Sequence, residues 1–320
     1  MNRTLIAAAA AAALAAFVAP QAASAGCADF QITGQDLSLQ YDPFSSAPVT
    51  RAFTVRIRRI DSAATAVRFL LADPDSMAGA PRIGSGPGGY DIRWNRDSSR
   101  QVFVSGAEQP NATNGALVAF GDGPSGDMAT ETFLFTLPAG QDASAGDYYQ
   151  ALEARFVCYS GDQVIGSPDF QQGAGLAIDL NVPERISTYV GAAGVRRGEI
   201  AFGPLDPTGG VVSRNLIVTA QSTVPYDIDV ASRWGRLQRR QGDDYGLDYT
   251  MRLSGVSVQR GSTLSCTRTP APSGRAHPFQ VDLAQDQAAR APAGAYSDVV
   301  TLTFTPRAGL ASPSTCTPVL

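Results

Sequence analysis

Lysine is absent: all 25 basic residues are arginine. That removes the phosphate-loop lysine, Schiff-base chemistry and the lysine anchor of pyridoxal phosphate. Histidine is nearly absent. His277 stands alone, so a histidine relay or a histidine-based metal site has no second member. It precedes Pro278 in a turn-like stretch and reads as a surface residue. No serine sits in G-x-S-x-G, which excludes a nucleophile elbow. Beyond the N-terminus no run is long and apolar enough to span a bilayer, and no stretch holds a helical period over three turns. Charge is also sparse. A net charge of −4 implies neither nucleic acid nor an anionic membrane as partner. The absences predict a chain that is not an enzyme and takes no cofactor.

What is present begins with an export signal. Arg3 precedes an apolar run from Leu5 to Val18, then Pro20 and the small-residue exit Ala23-Ser24-Ala25. This reads as a signal peptide over residues 1–25, cleaved before Gly26. The run is shorter than the ~20 residues a spanning helix needs. Lipidation of Cys27 is disfavoured, because Ser24 occupies the place of a large aliphatic residue. The four cysteines, Cys27, Cys158, Cys266 and Cys316, are too scattered for a metal site. An even count in an exported chain predicts disulfides, and four cysteines permit three pairings. Each half holds two, so the expectation is one clamp per half, Cys27–Cys158 and Cys266–Cys316.

Strand signals dominate the rest. Phe53, Val55 and Ile57 alternate with polar residues, as do Val67, Phe69 and Leu71, and Phe133, Phe135 and Leu137. In the second half Tyr226, Ile228 and Val230 alternate, then Phe279, Val281 and Leu283, and Val299 to Phe304 form the last strand. Clusters such as Asp73-Pro74-Asp75 and Gly121-Asp122-Gly123-Pro124 punctuate them. Many short strands with frequent turns predict an all-β sandwich or barrel.

The grammar repeats. Pro138-Ala139-Gly140, a short insert and Gly146-Asp147-Tyr148 lead into one strand; Pro292-Ala293-Gly294-Ala295-Tyr296 lead into another. Tyr41-Asp42-Pro43-Phe44 and Phe202-Gly203-Pro204-Leu205 form a looser pair. The expected organisation is two tandem immunoglobulin-like β-sandwiches, 26–182 and 183–320. The copies differ at their ends. The first has a further strand in which Leu176, Ile178, Leu180 and Val182 alternate; the second runs into a Ser/Thr/Pro-rich tail and lacks its final strand.

Candidate chemistry is thin. Gly84-Ser85-Gly86-Pro87-Gly88-Gly89 matches G-x-G-x-x-G by letter, but a strand rather than a helix follows, so it reads as a plain glycine loop. Acidic pairs Asp73/Asp75, Asp122/Asp127 and Asp243/Asp244 read as turn residues. Trp94, Tyr148, Tyr149 and Tyr226 read as packing aromatics; Trp234, between arginines, reads as exposed. Ala116-Leu117-Val118-Ala119-Phe120 lies between two turn signals. It is either a short core strand or an exposed apolar loop in which Leu117, Val118 and Phe120 adhere to surfaces.

Four segments carry a family resemblance: Ile200-Ala201-Phe202-Gly203, Val218 to Ile228, Leu247 to Met251, and Pro292 to Leu302. Over about 197–306 they resemble the spore coat protein U domain, the pilin module of archaic chaperone–usher pili. The first half resembles it only faintly. Ala220 stands where the family has a cysteine, so the family disulfide is replaced or missing. The resemblance implies a sandwich completed from outside by an added strand. The implied partners are a periplasmic chaperone, an outer-membrane usher and the next pilin subunit. Leu176 to Val182 then resembles a donor strand that fills the first sandwich within the same chain. A subunit that accepts a strand and offers none outward caps a fibre. The implied role is a tip adhesin at the cell surface, acting in surface attachment or biofilm formation. The alternative is a secreted surface-coat or carbohydrate-binding protein that never polymerises.

Overall fold

The computed structural model describes residues 26–33, 37–240, 244–269, 273–307 and 316–319, so the expected export signal lies outside the described residues. No α-helix occurs among them. The first half contains β1 (Ala28–Thr33), β2 (Leu37–Gln40), β3 (Val49–Arg59), β4 (Ala66–Asp73) and β5 (Asp91–Trp94). It continues with β6 (Phe103–Ser105), β7 (Ala116–Ala119), β8 (Met128–Leu137), β9 (Gly146–Ser160) and β10 (Gln163–Val182). These form two sheets, β1-β3-β8-β5 and β2-β10-β9-β4-β6, with β7 also on β4. Alternation sends Phe53, Val55, Ile57, Phe69, Phe133 and Phe135 into one shared core between them.

The second half contains β11 (Ile186–Val190), β12 (Val211–Ser222), β13 (Tyr226–Ser232), β14 (Leu237–Arg239), β15 (Gly246–Leu247) and β16 (Tyr249–Leu253). It continues with β17 (Val256–Val258), β18 (Thr263–Cys266), β19 (Arg275–Ala284), β20 (Tyr296–Ser297), β21 (Val300–Pro306) and β22 (Thr317–Pro318). Its main sheets are β11-β12-β19-β16-β17 and β21-β13-β18-β22, with a small β15-β14-β20 sheet beside them. A separate, smaller core gathers Tyr226, Ile228, Val230, Met251, Leu253, Phe279 and Val281. The protein is therefore all-β, two sandwiches in tandem, and the last long strand of the second lies at a sheet edge.

Cys27 pairs with Cys158 and Cys266 with Cys316. The first bond ties the start of β1 to β9 in the facing sheet. The second ties the C-terminal tail to the end of β18, beside the β18–β22 ladder. β4 departs from simple alternation. Leu70 and Ala72 are buried as well, in a small cluster with Val104 on the outer face of the sheet. Backbone between β6 and β7 covers that face, held where the buried Arg155 donates from Nη1 to the Gly106 and Glu108 carbonyls at 2.6 and 2.9 Å.

The segment considered as an adhesive loop is strand β7, paired antiparallel to β4. Its period of two divides the three candidates: Val118 is 2 % exposed and in the core, whereas Leu117 is 44 % exposed. Phe120 packs partly against the core under the Arg59 guanidinium, 5.6 Å from its ring. An exposed apolar loop is therefore corrected to a short strand, because residues 116–119 find the free edge of β4.

His277 also needs correction. It is fully buried rather than on the surface. It lies in β19, in phase with Phe279, Val281 and Leu283, so the pleat points it inward. Two hydroxyls make burial tolerable: Tyr226 OH lies 2.7 Å from Nε2 and Ser254 Oγ lies 2.7 Å from Nδ1.

Candidate functional site

The two sandwiches match residue for residue along their repeated strands. Tyr148 donates its hydroxyl to the Ser144 carbonyl at 2.9 Å, and Tyr296 donates to the Pro292 carbonyl at 2.6 Å, each four residues upstream. This is the tyrosine-corner contact of immunoglobulin-like sandwiches. Two residues before each tyrosine stands a glycine of positive φ, Gly146 at 145° and Gly294 at 157°. Two residues after, Gln150 donates to Asp73 Oδ1 at 2.9 Å, and Asp298 accepts from Ser232. Asp73 and Ser232 close the neighbouring strands β4 and β13, so the contact is kept with acid and donor exchanged. β9 and β21 are therefore counterparts, and Leu152, Ala154 and Phe156 correspond to Val300, Leu302 and Phe304.

The counterparts differ in what covers them. β9 lies between β4 and β10, and β10 continues the sheet to β2, to which it runs parallel. Ile178, Leu180 and Val182 of β10 are buried in the first core, as are Leu152, Ala154 and Phe156. Leu176 lies in the same strand, in its irregular stretch. Among the described residues β21 pairs only with β13, antiparallel from Val300↔Ser232 to Pro306↔Tyr226. Its inward Val300, Leu302 and Phe304 stay half-buried. By the Tyr41/Phe202 pairing, the counterpart of β2 is the stretch around Ile200, which forms no strand. Ile200 and Phe202 pack only partly against the second core. Among the described residues no strand takes, beside β21, the place that β10 takes beside β9; this open place, flanked by the half-buried Val300, Leu302 and Phe304, is the slot.

Asp298 sets the start of that edge. Its Oδ1 accepts from the Trp234 and Val299 amides at 3.1 and 2.7 Å, and its Oδ2 accepts from Ser232 and from Tyr249 OH at 2.6 Å. Burial pulls this carboxyl up, and the hydrogen bonds outweigh burial to hold it below its ordinary value. Sequence reasoning missed Asp298 and Asp73 as strand-end clamps. Their partners lie on strands distant in sequence, and only the D of the Pro292–Leu302 match hinted at the first.

The remaining candidates resolve into structure. Gly86 lets the Tyr148 ring approach, since a Cβ there would lie 2.5 Å from it, which explains the glycine loop. Asp73 is buried and accepts from Tyr90 OH at 2.8 Å; Asp127 pairs with Arg59. Asp243 lies outside the described residues. Trp94 and Tyr226 are core residues, Tyr148 is half-buried, and Tyr149 and Trp234 are exposed. The Arg233 guanidinium lies 4.8 Å over the Trp234 ring. Cys266, Cys316 and His277 converge, but the two sulfurs are bonded to each other and offer no thiolate to a metal.

No family model matches the chain, and no curated protein matches it. Solved structures do. One is a chain in the CsuC–CsuE chaperone–tip adhesion subunit pre-assembly complex, from the archaic chaperone–usher Csu pili of Acinetobacter baumannii. It is 14% identical, covers 87% of this chain and 100% of its own, and has a TM-score of 0.39. A chain of a chaperone–tip adhesin complex of CFA/I fimbriae biogenesis is 14% identical over 84% and 95%, with a TM-score of 0.41. The CupB6 tip adhesin of Pseudomonas aeruginosa is 14% identical over 87% and 92%, with a TM-score of 0.42. Likenesses of this strength leave function to the chain's own geometry.

Proposed function

We propose that this chain is the tip adhesin of an archaic chaperone–usher pilus, exported through the periplasm and completed by a strand donated from outside. One observation carries the reading: among the described residues β21 is a bare edge, where its counterpart β9 is covered by β10. The slot is an unpaired edge over a half-open core, a form that natural sandwiches avoid unless something fills it. An added strand would pair its main chain with β21 and lay alternate side chains over Val300, Leu302 and Phe304. A periplasmic chaperone supplies that strand first; at the outer-membrane usher the next subunit's N-terminal segment replaces it. The course of β10 supports this reading: it runs antiparallel to β9 and on through the linker into the next sandwich at Ile186. In this reading it is an internal donor, so the first sandwich needs none and is free to bind. The adhesive face lies at its end remote from the second sandwich, where Ile60 and Val164 are 42 % and 54 % exposed. The chain acts by binding rather than catalysis.

Hydrogen exchange on the full-length mature protein tests this. Amides of Val300 to Thr305 that face the slot are expected to exchange fast and to slow when a peptide of the sequence Leu176 to Val182 is added. The same peptide with Asp at the Ile178 and Leu180 positions is expected to give no protection. Slow exchange of these amides in the monomeric chain alone would show that the edge is already covered.

A further inference from the structure

We propose that the two sandwiches are locked at a fixed angle by a joint built on Thr223, with the loop before β9 as its bracket. The linker is only Pro183-Glu184-Arg185, and both its first and last residues hydrogen-bond to Thr223, which is 1 % exposed. The Thr223 hydroxyl donates to the Pro183 carbonyl at 2.9 Å and accepts from the Arg185 amide at 2.8 Å. Its amide donates to the Arg185 carbonyl at 3.0 Å, and its own carbonyl accepts from Ala145 of the first sandwich at 2.9 Å. One residue therefore satisfies linker, second sandwich and first sandwich together.

Ala145 ends the loop between β8 and β9. Asp142 of the same loop takes a two-pronged contact from the Arg268 guanidinium, with Nη2 3.2 Å from Oδ2. Asp142 is the main cause that raises the Arg268 pKa further. A second ion pair, Arg185 to Asp42, stands on the linker. The loop is anchored to its own sandwich by Gln141, whose amide donates to Tyr41 OH at 2.7 Å, and reaches across the joint through Asp142 and Ala145. The hydrogen bonds around Thr223 are shielded from solvent, whereas both ion pairs are partly exposed and screened by salt.

All four cysteines are bonded, so introduced thiols can be labelled selectively. Spin labels at Leu134→Cys on β8 and Val211→Cys on β12, both exposed, report the distance between the sandwiches. The expected result is one narrow distance distribution, surviving about 1 M salt with slight widening. Thr223→Val keeps the shape and removes the hydroxyl, stranding the Arg185 amide and the Pro183 carbonyl; the narrow distribution is expected to be lost. Thr223→Ser should restore it. Should Thr223→Val fail to fold, Asp142→Ala with Arg268→Ala alters only part-exposed side chains and is expected to widen the distribution to at least the high-salt width. A broad distribution in the unaltered protein overturns the joint. So does a folded Thr223→Val, or that double variant at low salt, as narrow as wild type.

Discussion

A neutral histidine buried between two hydroxyls makes the second sandwich sensitive to acid. Burial, with the nearby Arg275 cation, pushes the His277 pKa down from 6.5 to about 4. The unfolded chain therefore binds a proton that the folded chain refuses between these values. The contribution is fully present above about pH 6.5 and is lost as pH falls through the folded value near 4. A shift of this size corresponds to something on the order of 3 kcal/mol. The Tyr226 phenol is pushed up to about 12 by burial, so it stays protonated against the ring throughout. Urea midpoints measured from pH 7.5 down to pH 4 should fall more steeply for wild type than for His277→Asn. Parallel curves would mean that His277 does not titrate in this window. The alternation running back from Leu283 through Phe279 pointed to this residue as inward. The adjacent Pro278 suggested a turn instead, although its side chain faces outward where the pleat tolerates it.

At the scale of elements, β10 and β7 show how one residue of register decides between core and surface. Ile178 and Leu180 share the first core with Phe156 and Leu152, while Asp179 between them points out. Ile178→Asp and Leu180→Asp each bury a charge without a partner, at an expected cost of upward of about 3 kcal/mol. Together they should unfold the first sandwich, read as rapid proteolysis within residues 26–182 and loss of its melting transition. An unchanged melt would reduce the strand to a linker. On β7 the same logic separates adhesion from packing. Leu117→Ser should leave the melt within about 0.5 kcal/mol of wild type, so any loss of surface attachment is a binding effect. Val118→Ser should lower stability by about 1–3 kcal/mol.

For the molecule as a whole, the asymmetry between the copies predicts dependence on a partner. The first sandwich closes its sheet with its own β10 and clamps its two sheets with Cys27–Cys158. In the second, no described strand takes that place beside β21, and the tail ties instead to β18 on the opposite side of β13. On the proposed reading, the full chain exported without a pilus chaperone should aggregate or be degraded from the second sandwich, with fragments ending beyond Val182. Coexpression with the chaperone should rescue a stoichiometric soluble complex. A stable, cooperatively unfolding monomer in chaperone-free periplasm would count against an open sandwich.

The sequence by itself determined the class of fold. Period-two alternation, glycine and proline turns and an even cysteine count are local signals, so Phe53, Val55 and Ile57 reveal a half-buried strand without knowledge of a partner. The repeat around Tyr148 and Tyr296 was equally legible. What only the tertiary structure decided is pairing. Whether residues 116–119 are loop or strand depends on a free edge of β4 that lies some fifty residues earlier. The lack, among the described residues, of a cover on β21 is a property of neighbours, as are the exchanged clamps Asp73–Gln150 and Asp298–Ser232 and the convergence of the linker and the loop before β9 on Thr223. Hydrogen bonds and burial between strands distant in the chain set all of these, and a residue's own identity does not state which strand will lie beside it.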